Sequence, residues 1–123
     1  MSNKKLMIVD DSPAIHMIIE RAIKGSRFEV CANAKNGVEG IIKFTATKPD
    51  VITMDITMPI KDGLEASREI LSKDPSAKIV MLSAMGDDEL INEAKKIGVK
   101  AFLRKPFKAD ELVNTLNSLL SKY

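Results

Sequence analysis

Four short apolar runs in this 123-residue chain each end in a residue with chemistry to offer. Leu6-Met7-Ile8-Val9 stops at Asp10-Asp11, and Val51-Ile52-Thr53-Met54 stops at Asp55. Ile79-Val80-Met81-Leu82 stops at Ser83, and Ala101-Phe102-Leu103 is followed, one residue on, by Lys105. Carboxylates brought together repel and raise one another's pKa values unless a cation sits between them. An all-oxygen ligand set of this kind suits a hard divalent ion, Mg²⁺ above all, which keeps several waters and commonly bridges to phosphate oxygens. A nearby serine hydroxyl can donate to a phosphoryl oxygen, and a lysine can neutralise its charge. Singly, each residue has an ordinary role: an aspartate caps a turn or helix, a serine sits in a turn, a lysine stays in water. The chemistry needs all of them in one place.

Hydrophobic periodicity says how the chain would bring them there. It predicts five strand–helix pairs. The strands are Leu6–Val9, Phe28–Ala34, the β-branched run from Val51 to Asp55, Ile79–Leu82 and Ala101–Leu103. Ser12-Pro13 reads as N-cap and first helical residue, and Ile15, Ile18, Ile19, Ala22 and Ile23 follow at helical spacing until Gly25. A second helix opens after Asn36-Gly37, a third carries Leu64, Ser67, Ile70 and Leu71, and a fourth carries Leu90, Ala94 and Ile97 before Gly98. Leu112, Val113, Leu116, Leu119 and Leu120 make the most regular stripe. Strands alternating with helices imply an α/β domain, a parallel sheet with right-handed crossovers and helices on both faces. In such a sheet the carboxyl ends of all strands share one edge, where ligands bind. Asp10, Asp11, Asp55, Ser83 and Lys105 then lie together whatever the strand order.

The length fits one domain, 1–123, with a single core. A hydrophobic share of 45% against 29% charged describes a globular protein, and 4% aromatics leave the core to aliphatic and methionine side chains. A net charge of +2 gives no argument for direct nucleic-acid binding. No apolar run approaches the roughly 20 residues that span a bilayer, and Met1-Ser2-Asn3-Lys4-Lys5 leads straight into the first strand. The lone Cys31 reads as a buried thiol in a reducing compartment, so the expected location is cytoplasmic.

Ile8-Val9-Asp10-Asp11, Met54-Asp55-Ile56-Thr57-Met58-Pro59 with Asp62-Gly63, Ser83-Ala84 and Lys105-Pro106-Phe107 together resemble the motif set of the response-regulator receiver domain. The resemblance covers essentially the whole chain and is strongest to chemotaxis-type single-domain regulators. It implies a doubly wound, flavodoxin-like three-layer sandwich with strand order 2-1-3-4-5. It also implies that Asp55 is the phospho-acceptor, taking a phosphoryl group from a histidine of a sensor kinase as an aspartyl phosphate. Asp11, Asp55 and the Thr57 backbone carbonyl would hold Mg²⁺, with Asp10 helping through water. Ser83 and the Ala84 N–H would hold the phosphoryl oxygens, Lys105 would reach across, and the Lys105–Pro106 bond would be cis. Phe102 would be the switch residue, turning inward to change the face made by helix four, strand five and helix five. By the same resemblance the protein is not a turnover enzyme. Its expected partners are the kinase, a downstream target such as the flagellar switch, and a phosphatase. Two positions depart from common family usage: serine at 83 where threonine is also common, and phenylalanine at 102 where tyrosine is frequent.

Rival functions differ in what they need. A flavodoxin-like electron carrier would require a phosphate-cradling loop after strand one, where Asp10-Asp11 would repel the phosphate. A haloacid-dehalogenase-type phosphatase would require Asp-x-Asp there, and Ser12 holds the second acidic position. A receiver belonging to a longer DNA-binding regulator stays open, although Ser121-Lys122-Tyr123 follows the last helix with no linker composition, which favours a free-standing protein. His16, the only histidine, is expected on the outward side of the first helix in an ordinary surface role. Met17, Met58 and Met85 are expected as fillers or rim residues. Lys95, Lys96, Lys100, Arg104 and Lys108 form a basic concentration that would favour an acidic partner.

Overall fold

β-branched and aliphatic runs fold as strands, and the intervening amphipathic segments fold as helices that cover them. The computed structural model describes residues 3–120. The order is β1 (Lys4–Val9), α1 (Pro13–Ala22), β2 (Phe28–Ala34), α2 (Gly37–Thr47), β3 (Val51–Asp55), α3 (Gly63–Lys73), β4 (Ile79–Ser83), α4 (Asp88–Ile97), β5 (Ala101–Arg104) and α5 (Ala109–Leu120). The segment 121–123, read from the sequence as a tail without a linker, lies outside the described residues.

The five strands form one parallel sheet in the order β2-β1-β3-β4-β5. Because side chains alternate across a strand, each central strand feeds two cores. Met7, Val9, Ile52, Met54 and Met81 face one side, with Ile41 of α2, Ala66 and Ile70 of α3 and Ala94 of α4. Leu6, Ile8, Val51, Val80 and Leu82 face the other, with Ile19 of α1 and Leu112, Leu116 and Leu119 of α5. β3 and β4 are buried along their whole length, as continuous apolar runs in a covered parallel sheet require.

The helix starts follow local chemistry. Ser12 Oγ accepts the Ile15 N–H at 3.4 Å ahead of Pro13, and Asn36 and Asp62 accept the Glu39 and Glu65 N–H groups at 2.9 Å each. Gly98 ends α4 at φ +112°, a left-handed conformation that glycine adopts without steric cost. Gly63 has a different reason to be glycine. It stands where α3 turns back against the end of β3, its N–H donating to Ile56 O at 2.9 Å, and a methyl group there would overlap the carbonyl oxygen of Asp55.

One expectation is corrected here. Cys31 is half-buried, not buried, with its thiol 3.7 Å from the Thr47 hydroxyl, because β2 is an edge strand whose middle is only partly covered by α2. Of the three methionines expected as fillers or rim residues, Met58 is buried, while Met17 and Met85 are exposed at 54% and 87%.

Candidate functional site

The carboxyl ends of β1, β3, β4 and β5 meet at one edge of the sheet. Asp10 follows β1 directly, Asp55 and Ser83 are the last residues of β3 and β4, and Lys105 follows β5. Asp10 and Ser83 are almost fully buried, and Asp55 is 7% exposed. Asp10 Oδ1 accepts the Ser12 N–H at 2.9 Å, which ties the carboxylate to the start of α1. Its other oxygen accepts from Lys105 Nζ at 3.1 Å, and the same ammonium donates to Asp55 Oδ1 at 3.1 Å. The Lys105 backbone N–H donates to Ser83 O at 2.8 Å, so the lysine is fixed at both ends. The Lys105–Pro106 peptide bond is cis.

The electrostatics follow from this crowding. Burial, and then the neighbouring charge of Asp10, push the Asp55 carboxyl up to about 6, while Lys105 works in the opposite direction. Burial alone would lower Lys105; the hydrogen bond it donates to Asp10 and the charges of Asp55 and Asp10 outweigh it and hold the ammonium above its ordinary value. Asp10, Asp11 and Asp55 each place a carboxylate oxygen within 4.8 Å of the others, Asp11 being the exposed member. Three carboxylates facing one ammonium leave negative charge uncompensated, and a hard, all-oxygen donor set is the kind that holds a divalent cation. The residues present fit such an ion. Thr57 lies two residues beyond β3 on an exposed loop, at the same edge.

Three arrangements were not legible in the sequence. The exposed Ala84 donates its N–H to Asp87 Oδ2 at 2.8 Å, so the donor expected to face a phosphoryl oxygen is engaged within its own loop. Phe102 is half-buried on β5, and Lys95 Nζ lies 5.8 Å from its ring centroid. His16 corrects an expectation. It is half-buried, its Nε2 is 2.8 Å from the Asp10 carbonyl oxygen and its Nδ1 is 2.7 Å from Asn33 Oδ1. Helical spacing rightly puts it off the core stripe, but the flank it occupies faces the ends of β1 and β2, which spacing alone does not reveal. Lys95, Lys96, Lys100, Arg104 and Lys108 are all exposed. No helix among the described residues is long and apolar enough to cross a membrane.

Comparison with known proteins bears on the same edge. The family model of the response regulator receiver domain matches residues 6–117. The chemotaxis protein CheY of Listeria monocytogenes is 49% identical over 112 residues, covering 91% of this chain and 94% of that one. CheY of Thermotoga maritima is 42% identical, covering 94% and 97%. Among solved structures, the CheX-CheY-BeF3-Mg complex from Borrelia burgdorferi superposes with a TM-score of 0.92 at 28% identity, covering 98% of this chain and 92% of that one. Strand order, the acid cluster at the strand ends and sequence similarity along nearly the whole length agree, and the chain belongs to the response-regulator receiver family.

Proposed function

We propose that this chain is a phosphorelay switch of the chemotaxis type, in which a sensor histidine kinase phosphorylates Asp55 in a Mg²⁺-dependent reaction. The observation that carries this reading is Asp55 itself: a buried carboxylate at a strand end, within 4.8 Å of two others and 3.1 Å from Lys105. A carboxylate oxygen of Asp55 attacks phosphorus, the bond from phosphorus to the donor imidazole nitrogen breaks, and that nitrogen leaves with the electron pair. Asp11, Asp55 and the Thr57 backbone carbonyl would hold the ion, with Asp10 acting through water. When bound, Mg²⁺ supplies the positive charge that lets three carboxylates and a phosphoryl group share one site. Ser83 and the Ala84 N–H bind the phosphoryl oxygens, and Lys105, already fixed by its backbone bond to Ser83, follows the charge as it moves onto the acceptor.

Phosphorylation would pull the Ser83 hydroxyl inward, drag the Ala84-Met85-Gly86 loop and let Phe102 turn towards the core, altering the face made by α4, β5 and α5. The protein would act by binding, in the cytoplasm, to a downstream target such as the flagellar switch. It would not turn over an external substrate or contact nucleic acid or membrane, and a phosphatase would reset it. The five exposed cations on and near that face favour an acidic partner surface. A chemotaxis-type receiver is favoured over the receiver of a transcriptional regulator. The chemotaxis relatives at 40–49% identity are matched over 94–98% of their length, while the transcriptional regulatory protein PdtaR, at 31%, is matched over 58%.

Incubation with a small acyl phosphate tests the reaction class. Intact mass should show one added phosphoryl group in Mg²⁺ and none in EDTA, with uptake slowed in Asp11→Ala. Undiminished uptake in EDTA would contradict the metal's role.

A further inference from the structure

The loop between β4 and α4 holds a contact that matters to the site. Ala84 N–H, the donor proposed above for a phosphoryl oxygen, donates to Asp87 Oδ2 at 2.8 Å. The same turn is closed in the other direction by the Asp87 N–H, which donates to Ala84 O at 3.3 Å. Gly86, at φ +94°, lets the chain reverse between them. A second observation concerns the place of Asp87. It is the N-cap residue of α4, where an aspartate ordinarily accepts an N–H from the first turn of its own helix. Asn36 and Asp62 do this at α2 and α3, yet Asp87 makes no side-chain capping bond. Its carboxylate is turned away from the helix it begins and onto Ala84.

We propose that Asp87 is a positioning residue whose carboxylate occupies the Ala84 N–H until a phosphoryl oxygen displaces it, and so sets how readily the site accepts a phosphoryl group. The inference rests on the receiver reading above. A carboxylate oxygen and a phosphoryl oxygen are both anionic acceptors, and one N–H serves only one of them with good geometry. Their mutual repulsion adds to the competition. Accepting the phosphoryl group therefore exchanges one charge-assisted hydrogen bond for another, and the net gain at Ala84 is only the difference between the two. The exchange also releases Asp87 and with it the start of α4. That gives phosphorylation a route to α4 through the backbone of residues 84–87, separate from any motion of Phe102.

The test uses the full chain, Mg²⁺ and beryllofluoride as the phosphoryl mimic, followed by amide chemical shifts in wild type, Asp87→Ala and Asp87→Asn. Without the mimic, the Ala84 amide proton should move upfield in Asp87→Ala, since its anionic acceptor is gone. Beryllofluoride should then bind Asp87→Ala about fivefold more tightly than wild type, the size expected when one competing hydrogen bond is removed. Asp87→Asn keeps an oxygen acceptor without the charge and should fall between. A purely structural role would not produce that order. Affinities within twofold of each other, or weaker binding by Asp87→Ala, would overturn the proposal while leaving the receiver reading intact. If Asp87→Ala does not fold, Asp87→Asn alone decides on the same two readouts. Failure of wild type to take up beryllofluoride would instead overturn the receiver reading, and this inference with it.

Discussion

At pH 7 Asp55 ionises against its surroundings. Burial and the Asp10 charge raise its carboxyl to about 6, compared with roughly 3.9 for an exposed aspartate. A carboxyl with a folded-state pKa above its unfolded value binds its proton more tightly in the folded protein. Its contribution therefore favours folding below about pH 4, and that advantage disappears as the pH rises through 6. In EDTA, wild type should lose about 2 kcal/mol of stability between pH 4.5 and 7 relative to Asp55→Asn. Paired thermal melts would measure this, and a ¹³C titration should place the Asp55 carboxyl midpoint near 6. A midpoint near 4 with parallel melts would contradict the electrostatic picture. Lys105 belongs to the same balance: Lys105→Ala removes the ammonium that bridges both carboxylates and should move the Asp55 midpoint further up in the same titration. At this scale the identities of Asp10, Asp11, Asp55, Ser83 and Lys105 were legible, because each closes an apolar run. Asp87 and His16 were not, since their roles depend on which neighbour a side chain meets across a loop or a helix flank.

The elements hold the site through a few close approaches. α3 begins so near the end of β3 that a Cβ at Gly63 would meet the Asp55 carbonyl. Gly63→Ala should displace that carbonyl, cost about 1–3 kcal/mol in urea unfolding and reduce phosphoryl uptake at Asp55. The loop ahead of it carries Ile60 at φ +70°, a left-handed conformation that is costly for a β-branched residue, and its side chain is 82% exposed. Ile60→Gly removes the clash without removing core packing, and should raise stability by about 1 kcal/mol in the same assay. A loss of stability would mean that the exposed side chain makes a contact worth more than the strain. Strands, caps and helix stops were legible as runs of apolar residues, Ser12-Pro13, Asn36 and Gly98, because each depends only on near neighbours. The left-handed Ile60 was not, since it sits at the centre of a three-residue turn in which the Lys61 N–H donates to Pro59 O at 2.8 Å, and nothing in its β-branched side chain announces such a turn.

For the whole molecule, alternation of strands and helices was enough to place every strand end on one edge, whatever the order. The order β2-β1-β3-β4-β5 itself came from resemblance to a family, because periodicity carries no information about which strands are neighbours. The switch belongs at this scale. Half-buried Phe102 beneath Lys95 has no hydroxyl to form a bond in the proposed inward state, so that state would have to be favoured by burial of the ring, worth roughly 1.5–3 kcal/mol when complete. An energy of that size shifts a two-state population but does not make it absolute. Ser83→Ala should still accept a phosphoryl group at Asp55, yet show smaller chemical-shift changes at Phe102 than wild type. Equal, large changes in both proteins would sever Ser83 from the switch.

The central claim is that Asp55 is the atom-level destination of the phosphoryl group. It is tested most directly by phosphorylating the chain with a small acyl phosphate in Mg²⁺, reducing the product with borohydride and locating the reduced side chain by peptide mass. One reduced site at position 55 in wild type, and none in Asp55→Asn, is the result predicted. A phosphoryl group recovered at Ser83, at Thr57 or undiminished in Asp55→Asn would contradict it.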